Sequence, residues 1–468
     1  MAKKIFGGSG KGRFAGNGAD VSLTDEEQEE QETVSSGRKE KKKRAKKEKK
    51  PGKGLRVAAW LLAILLLIES AYCVVIFTDL IKPVAALRSI YINTAMSTMR
   101  HQYLAKALIP GDIVMEVVRK TEQAQADQVG VNSGWEDVTE ATVETKSPSS
   151  GFSKEAAASM LSLLAQDIGL ASEDADFFEL FHELDEDSTR AYVDAHPEVV
   201  SAGWDKFLVN EAGINDAGTD IMTKQGDQVL AIDAENGLMV IRVKGSTYKG
   251  VLVIGKDPSR LKCAPSAHLG SVGQRAGEIA KGNNGLVAMT GSGFGDGANV
   301  AEGADLAGGA MSSGEAYGRH YPWGYKRVEL HLDNRLYIVD AHDDYSPNCT
   351  DATEWTPALI VDGVDVSGQD DLYTALNPRA CIGQTKDEAI MFLGIEGRRA
   401  DSLGCNAEEC ASILMRYNGY QAMNVDGGSS ATVWYEGENI MYCGNGSIVG
   451  RRLPNAWVYC ADTVPDPA

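Results

Sequence analysis

The feature that most constrains this chain is an apolar segment at residues 57–77, in which only Glu69 and Ser70 are not apolar. A helix of about 20 such residues spans the hydrocarbon core of a bilayer, roughly 30 Å thick. A carboxylate at that depth is costly, so Glu69 is a departure from the pattern. A buried core helix would carry more polar positions, and a signal peptide would begin earlier and end at a small-residue cleavage site. The segment therefore predicts a single transmembrane helix over 57–77.

The residues before this segment predict its orientation. Residues 38–56 contain 12 Lys and Arg, and positive charge beside a membrane helix stays on the cytoplasmic side. We therefore predict a single-pass protein of the cell membrane, with the N-terminus in the cytoplasm and the rest of the chain outside the cell. Residues 1–56 are expected to form a disordered basic tail that rests on anionic lipid.

The charge of the chain is unevenly distributed. Residues 1–56 hold 16 Lys and Arg against 9 Asp and Glu, whereas the whole chain has a net charge of −20, which leaves a net charge of −27 on residues 57–468. An acidic body repels phosphate backbones. We therefore exclude nucleic acid as a partner of the main domain.

The chain has eight cysteines, one in the apolar segment and seven after it. An odd number outside the membrane means that at least one is unpaired or pairs between chains. No C-x-x-C occurs, and Cys405 and Cys410 are five positions apart, so a zinc ribbon is not supported. The pairing cannot be deduced from the sequence.

After the apolar segment, the sequence pattern changes from helical to strand-rich along the chain. Residues 78–236 predict a membrane-proximal helical region, with a polar linker over 122–150 and a helix after Ser153. From residue 237, short β-rich runs alternate with Gly, Asn and Asp turns. One helical pattern interrupts them, with Asn406 as its expected cap and Gly419 as its expected stop. Many strands and few helices predict an α+β domain over 237–468, with a mixed or antiparallel sheet and packed helices.

Several common catalytic motifs are absent from the sequence. It contains no GxxxxGK[ST] loop and no GxSxG elbow. The glycine-rich stretch that starts at Gly291 has Asp296 where a dinucleotide-binding loop needs its third glycine. His342 beside Asp343 could ligate a metal, but a polar turn after a strand also explains it. The sequence therefore requires no cofactor, and it leaves the need for a divalent cation open.

The strongest local signal is MNVDGGSSATVWYEG at residues 423–437. A strand that ends in an acid, two glycines and two serines presents a carboxylate and two hydroxyls at one place, and the glycines let backbone N–H groups approach a ligand. A tight turn after an edge strand is the alternative. A second signal is Arg379, which follows Pro378 and precedes a strand of small residues. Its guanidinium suits a phosphate or carboxylate, and a surface arginine is the alternative.

Six segments in order resemble the phosphodiester glycosidase family. They are GSTYKGVLVIGKDPSRL, LVAMTGSGFGDG, PALIVDG, NPRACIGQTKDEAIMFLGIEGR, NVDGGSSATVWYEG and RRLPNAWVY. The resemblance covers residues 240–460, and INTAMSTMRHQYLA is similar to a stretch of membrane-anchored bacterial members. Thr290 stands where the family commonly has Asn.

The resemblance implies an enzyme that hydrolyses a sugar-1-phosphodiester in a cell-surface glycan or polysaccharide. It implies that Asp426 is the nucleophile or base at the anomeric carbon, that Arg379 holds the phosphate, and that Asp387 is a candidate second carboxylate. The residues expected to contact the substrate are Thr290 and Gly291 on the sugar side, with Gly427, Gly428, Ser429 and Ser430. Further positive charge could come from Arg398, Arg399, Arg451 and Arg452.

Two other functions fit parts of the sequence. A non-catalytic cell-wall or polysaccharide-binding protein could keep the same fold. Thr290 is the main support for this alternative, because its hydroxyl lacks the paired donor and acceptor of an Asn amide. A membrane scaffold that acts through the basic tail is the other alternative, and it would not need residues 79–468.

Overall fold

A computed structural model describes residues 52–98, 101–135, 174–295, 303–321, 324–368 and 375–467. Residues 1–51 of the tail expected at 1–56 lie outside the described ranges. The helix expected after Ser153 also lies outside them. The chain divides into two compact units, Met1–Cys73 and Val74–Ala468. All the residues of the candidate site belong to the second unit.

Helix α1 (Lys53–Phe77) covers the predicted transmembrane segment and starts four residues before it. At 1.5 Å per residue its length is about 38 Å, enough to cross a bilayer. Most of its apolar side chains are exposed, Trp60 by 72% and Leu67 by 70%, and Ile76 near its end is buried. Within the described ranges it is the one candidate for a membrane-spanning helix by length and composition. Its orientation stays a prediction from the flanking charges.

Three further helices follow α1: α2 (Lys82–Met96), α3 (Gln102–Leu108) and α4 (Gly111–Asp127). They pack around a small apolar cluster that includes Ile92, Ala105 and Val114. Helix α4 extends past residue 122 into the expected linker, because Ala124 is buried there. The side chain of Gln128, just after α4, then bonds at 3.0 Å to both the N–H and the C=O of Ala358. This helical region is therefore joined to the strand-rich part of the fold.

The largest sheet has nine strands, and each adjacent pair is antiparallel. Its strands in spatial order are β1 (Leu208–Asn210), β2 (Gln228–Asp233), β3 (Leu238–Lys244), β4 (Lys249–Gly255), β15 (Ile390–Ile395), β14 (Arg379–Thr385), β16 (Gly419–Asn424), β12 (Ala358–Val361) and β13 (Val364–Asp365).

This sheet begins upstream of the domain boundary expected at residue 237. Strand β2 pairs with β3, and Val229 and Ile232 of β2 share a buried core with Met239 of β3. Phe177 of helix α5 (Ala175–Leu180) packs into the same core, with helix α6 (Glu186–Ala195) following it in the chain. Residues that we expected in the membrane-proximal region thus form part of the sheet and its core.

Two five-stranded antiparallel sheets complete the described fold. The first contains β10 (Leu336–Asp340), β9 (Lys326–His331), β11 (Cys349–Trp355), β7 (Gly309–Ser312) and β8 (Glu315–Gly318). The second contains β18 (Glu438–Asn439), β17 (Val433–Tyr435), β6 (Gly285–Thr290), β19 (Asn455–Cys460) and β5 (Leu261–Pro265), and helix α7 (Ala276–Gly282) packs on it. The predicted α+β class is confirmed, and the sheets are antiparallel.

The helix expected after Asn406 is α8 (Ala407–Arg416). The Asn406 side chain accepts a bond from the N–H of Glu409 at 2.8 Å, and the Glu409 carboxylate accepts one from the N–H of Asn406 at 2.9 Å. This reciprocal cap fixes the start of the helix. The expected stop at Gly419 is wrong, because Asn418 makes the left-handed turn with φ of 60° and Gly419 begins β16.

Strands β14 and β16 bring the two strongest sequence signals together. They are antiparallel neighbours, with Cys381 opposite Asn424. The start of β14 and the end of β16 therefore lie at the same edge of the sheet. Arg379 is the first residue of β14, and Asp426 comes two residues after β16, so both stand at this edge.

Candidate active site

A cleft of about 1010 Å³ opens at this edge. Its described lining includes one carboxylate, that of Asp426, and three guanidinium groups, those of Arg379, Arg398 and Arg451. In a strongly acidic chain, this local excess of positive charge favours an anionic ligand. The other described lining residues are Ser97, Thr98, His101, Phe294, Trp355, Asn377, Pro378, Asn424, Gly427, Gly428, Ser429, Ser430, Gly444, Asn445 and Gly446.

Asp426 is fixed through its backbone. The N–H of Val425 donates to the carbonyl of Ala380 at 2.8 Å, and the N–H of Asp426 donates to the carbonyl of Gly291 at 3.1 Å. The side chain is half-buried at the cleft surface. The carboxylate is therefore presented to the cleft by a backbone that two sheets hold in place.

Arg379 is oriented by two backbone carbonyls. Its Nε donates to the carbonyl of Cys405 at 3.2 Å, and its Nη2 donates to the carbonyl of Ala375 at 2.9 Å. These bonds fix the plane of the guanidinium through Nε and one N–H of Nη2, and they do not use the second N–H of Nη2 or the two N–H groups of Nη1. Such a preoriented fork suits two oxygens of one phosphate or carboxylate group.

Arg398 and Arg451 supply the other two cations. Arg398 Nη2 donates to Asn377 Oδ1 at 3.2 Å. The Arg398 side chain is exposed at the cleft, but nearby protein atoms and the charge of Arg379 lower its pKa, while Asp426 opposes the shift. Arg451 Nη1 lies 3.4 Å from Ser429 Oγ, and its Cζ lies 4.5 Å above the ring of Phe294.

The segment Gly427–Ser430 forms a tight turn beneath these arginines. A Cβ at Gly427 would lie 2.8 Å from the carbonyl oxygen of Pro378, so only glycine fits, and Gly428 has φ of 56°. The N–H of Gly428 donates to that same carbonyl at 2.9 Å. This donor is therefore engaged within the protein, whereas both serine hydroxyls lie 3.4 Å from Arg451 Nη1.

Thr290 and Gly291, expected on the sugar side, lie behind the turn. Thr290 is fully buried, and its Oγ1 donates to the carbonyl of Ser430 at 2.7 Å. Gly291 contributes the carbonyl that holds Asp426. Neither is among the lining residues of the cleft. Thr290 therefore contacts the Gly427–Ser430 turn from behind and is not part of the described cleft surface.

Asp387, the candidate second carboxylate, is not in the cleft. It follows the far end of β14, a strand of seven residues, so it lies roughly 20 Å from Arg379. Its Oδ2 lies 3.0 Å from His182 Nε2. Burial alone would raise the pKa of Asp387, but its hydrogen bonds with His182 and Thr385 lower it. Asp387 is a partner of His182 and cannot act together with Asp426.

Two of the four additional arginines also lie elsewhere. Arg399 stacks over the ring of Tyr442 at 3.7 Å and pairs with Asp401. Arg452 donates to the carbonyl of Gly273 at 3.0 Å. Their charges serve contacts outside the cleft, which leaves Arg398 and Arg451 as the two that line it.

Sequence reasoning missed an aromatic wall of the cleft. Phe294 and Trp355 line it, and Trp355 contacts Tyr321 edge to face, with ring centroids 6.0 Å apart. Burial raises the pKa of Tyr321, with a further contribution from neighbouring Tyr325 and from Asp426. Apolar ring faces beside a carboxylate can pack against a sugar ring. Phe294 was visible in the segment TGSGFGDG, but no local signal marked Trp355.

The membrane-proximal helices also contribute to the cleft. Ser97, Thr98 and His101 line it, and Asn377 Nδ2 donates to Ser97 Oγ at 2.9 Å. Because Asn377 also accepts a bond from Arg398, the region after α2 supports an arginine of the site. These residues fall in the stretch INTAMSTMRHQYLA, for which the sequence predicts no role in the chemistry.

No three His, Cys, Asp or Glu side chains are grouped as a metal site in the part of the chain that the structure describes. The described cleft has guanidinium and hydroxyl donors that can bind an anion of the size of phosphate. It also has aromatic faces and one carboxylate that can contact a sugar.

Comparison with known proteins was made for sequence and for structure. Residues 277–460 match the sequence model of a family described as phosphodiester glycosidase. This range includes every described cleft residue except Ser97, Thr98 and His101. No curated protein matches the chain.

Fourteen chains of solved structures show distant similarity, and they include three that cover about half of this chain. The catalytic domain of zebrafish N-acetylglucosamine-1-phosphodiester alpha-N-acetylglucosaminidase, auto-inhibited by its pro-peptide, is 18% identical, with a TM-score of 0.40 over 48% of this chain and 82% of that one. A protein from Synechocystis is 13% identical, with a TM-score of 0.33 over 50% and 63% of the two chains. One from Burkholderia pseudomallei is 14% identical, with a TM-score of 0.32 over 46% and 74%.

Proposed function

We propose that residues 277–460, which match the sequence model described as phosphodiester glycosidase, form a domain of that family, and that the cleft hydrolyses the glycosyl–phosphate bond of a sugar-1-phosphodiester in a cell-surface glycan or polysaccharide. The observation that carries the proposal is that Asp426 shares one cleft with Arg379, Arg398 and Arg451. This pairing of one carboxylate with several cations matches the two ends of such a substrate, an electrophilic anomeric carbon and a phosphate.

The phosphate end is assigned to the arginines. The bond between the anomeric carbon and the phosphate oxygen breaks, and its electron pair stays on the phosphate, which becomes a phosphomonoester. The negative charge on the leaving group grows in this step, so guanidinium groups already fixed by Cys405, Ala375 and Asn377 stabilise the transition state more than the ground state.

The sugar end is assigned to Asp426. The anomeric carbon becomes oxocarbenium-like as the bond breaks, and a carboxylate beside it either attacks that carbon or removes a proton from the attacking water. A phosphomonoester leaves readily, so the need for a general acid is smaller than with an alkoxide leaving group. One carboxylate is therefore sufficient for this chemistry, even though Asp387 lies far from the cleft.

The proposed test uses the full-length protein in detergent and the methyl phosphodiester of a sugar 1-phosphate, in water enriched in oxygen-18. Cleavage at the anomeric carbon releases free sugar that carries the label and unlabelled methyl phosphate. Label in the phosphate would show cleavage at phosphorus, which contradicts the proposal. Saturable binding without any product would favour the non-catalytic polysaccharide-binding alternative.

We also propose that the cleft faces the outside of the cell, with the N-terminus in the cytoplasm and its basic residues on anionic lipid. The support is the exposed apolar surface of α1 and the 12 Lys and Arg of residues 38–56. Protease added to intact cells should remove the domain that contains the cleft and leave the N-terminal tail. If that domain is protected and the tail is cut instead, the protein has the opposite orientation in the membrane.

A further inference from the structure

Two cysteine thiols meet at the start of helix α8. Cys405 Sγ and Cys410 Sγ are 3.1 Å apart, and both residues are fully buried. Cys405 directly precedes the cap residue Asn406, and Cys410 is the fourth residue of the helix. These two positions usually hold a pair of apolar side chains that pack together and fix the angle at which the chain enters the helix.

Cys405 also holds the cleft in place through its backbone. Its C=O accepts bonds from the N–H of Asn377 at 3.1 Å and from Arg379 Nε at 3.2 Å, and its own N–H donates to the C=O of Asn377 at 3.1 Å. Asn377 in turn accepts the bond from Arg398 Nη2. Two of the three cleft arginines are therefore oriented by the segment that Cys405 anchors.

We propose that Cys405 and Cys410 form a disulfide bond in the exported protein, and that this bond holds the Cys405 segment so that Arg379 and Arg398 face the phosphate. The bond itself is independent of the proposed hydrolysis, whereas its effect on substrate rests on the proposed function. The two sulfur atoms need to approach by about 1 Å to reach the disulfide bond length of about 2.05 Å. Oxidising conditions outside the cell permit such bonds.

The oxidant is another disulfide, that of an extracytoplasmic thiol–disulfide oxidoreductase. The Cys410 thiolate attacks one sulfur of that disulfide, forms a mixed disulfide and releases a thiol. The Cys405 thiolate then attacks Cys410 Sγ, forms the Cys405–Cys410 bond and releases the second thiol. Two electrons pass to the oxidant, and the two protons of the cysteine thiols go with them. Because both sulfurs are buried in the folded chain, this exchange precedes the closing of the core.

A third buried thiol provides a matched control. Cys381, on β14, belongs to the same core as Cys405 and Cys410. Burial opposes ionisation of Cys410, but its hydrogen bonds with Cys381 and Cys405 and the charge of Arg379 lower its pKa. Cys381 has Leu393 and Asn424 as its neighbours across the sheet, so its position is fixed by strand pairing and not by the entry to α8. Cys381→Ala therefore removes the same side-chain volume as Cys405→Ala but leaves the proposed bond intact.

Peptide mass measurement tests the bond directly. Full-length protein is extracted from membranes without reductant, alkylated under denaturing conditions and digested with trypsin, which cuts after Arg399 and Arg416. Cys405 and Cys410 then share one peptide, 400–416, which should be unalkylated and lighter by two hydrogens. Two alkylated thiols in that peptide, or a cross-link between it and the peptide of Cys381, would overturn the proposal.

Reduction tests what the bond does. A phosphine reductant present throughout the unfolding scan reaches the bond once the buried segment opens, so it should lower the Tm of the wild-type protein and of Cys381→Ala by on the order of 5 °C. It should leave the Tm of Cys405→Ala unchanged. Cys405→Ala should lower kcat for the phosphodiester severalfold, with a smaller change in KM, because the oriented guanidinium groups act mainly on the transition state. An unchanged kcat would remove the arginine-positioning role. If no variant hydrolyses the substrate, the proposed function fails while the peptide mass still decides whether the bond exists.

Discussion

The N–H of Asp426 donates a hydrogen bond of 3.1 Å to the carbonyl oxygen of Gly291, which directly follows β6. Asp426 itself follows β16, so the bond joins segments that continue from two different sheets. The backbone, and not the carboxylate, makes this connection. This backbone bond is kept when the side chain of Asp426 is replaced.

Replacement of Asp426 by Asn should abolish turnover and preserve the fold. The amide keeps the size of the side chain, but it cannot attack the anomeric carbon or balance its developing charge. We expect kcat to fall by about 10³-fold or more, about 4 kcal/mol of barrier, with Tm within about 2 °C of wild type. Rates and thermal unfolding are measured on the same preparation. Asp387→Asn is the control and should keep normal kcat/KM, and a lower Tm with near-normal kcat in Asp426→Asn would reduce this residue to a structural role.

Replacement of Arg379 by Lys should impair substrate handling more than stability. Lysine keeps the charge but cannot form the planar fork that Cys405 and Ala375 orient. The loss of a two-point phosphate contact should cost about 1–3 kcal/mol in kcat/KM. Arg399→Lys is the control: Arg399 stacks on Tyr442 outside the cleft, so the same substitution there should leave kcat/KM unchanged. Equal kinetics for the two variants would show that Arg379 does not contact phosphate.

A chain that begins at residue 237 should not fold cooperatively. It lacks β1 and β2, so the edge of β3 and its buried residues Met239 and Ile241 would face water. A chain that begins at residue 78 keeps all nine strands and the helices that support Asn377. Thermal unfolding of the two should show a cooperative transition only for the longer one. A sharp transition in the shorter chain would mean that β1 and β2 are dispensable.

Acid should lower the free energy of unfolding because it protonates Glu329. Burial opposes ionisation of this carboxyl, but hydrogen bonds from His331 and Ser346 and the charge of Arg327 lower its pKa to about 2. A lowered pKa stabilises the fold above the ordinary value near 4.5, and this contribution is lost as the pH falls toward 2. It amounts to about 3 kcal/mol at pH 7 and about 1 kcal/mol at pH 3.

The difference in free energy of unfolding between wild type and Glu329→Gln should therefore shrink between pH 7 and pH 3, as measured by denaturant titration at each pH. Asp401 is the control, because its carboxylate is exposed and solvent screens its pairs with Lys249 and Arg399. Exposed pairs contribute little, so Asp401→Asn should match wild type at both values. A pH-independent difference for Glu329→Gln would show that this carboxyl does not titrate in the window.

The sequence predicted local features of the fold well and distant contacts less well. Asn406 was identified as a helix cap because capping depends on residues a few positions apart. The six residues of β2 alternate too little to be distinguished from a helical region, and only their pairing with β3 shows that they form a strand. The error at Asp387 has a similar origin, since sequence order does not show that β14 carries it away from Arg379.

The site was predicted through its chemistry and not through its shape. The carboxylate, glycines and serines near Asp426 form one continuous segment, so their grouping was visible. Trp355, Asn377 and His101 reach the cleft from separate parts of the chain, and tertiary packing alone brings them there. The burial of Thr290 could not be foreseen for the same reason, since a Thr near a glycine-rich loop fits either a ligand or a packed turn.

Arg398 shows what this arrangement demands of the chain. Its backbone is left-handed, with φ of 59°, a conformation that costs a residue other than glycine about 1 kcal/mol. Its charge is also disfavoured by the neighbouring Arg379. Thermodynamic stability alone would favour Asn here, which tolerates this conformation. The Tm of Arg398→Asn should therefore equal or exceed that of wild type, while its affinity for phosphate should be lower. Arginine at this position thus lowers the stability of the fold and increases the affinity of the cleft for phosphate.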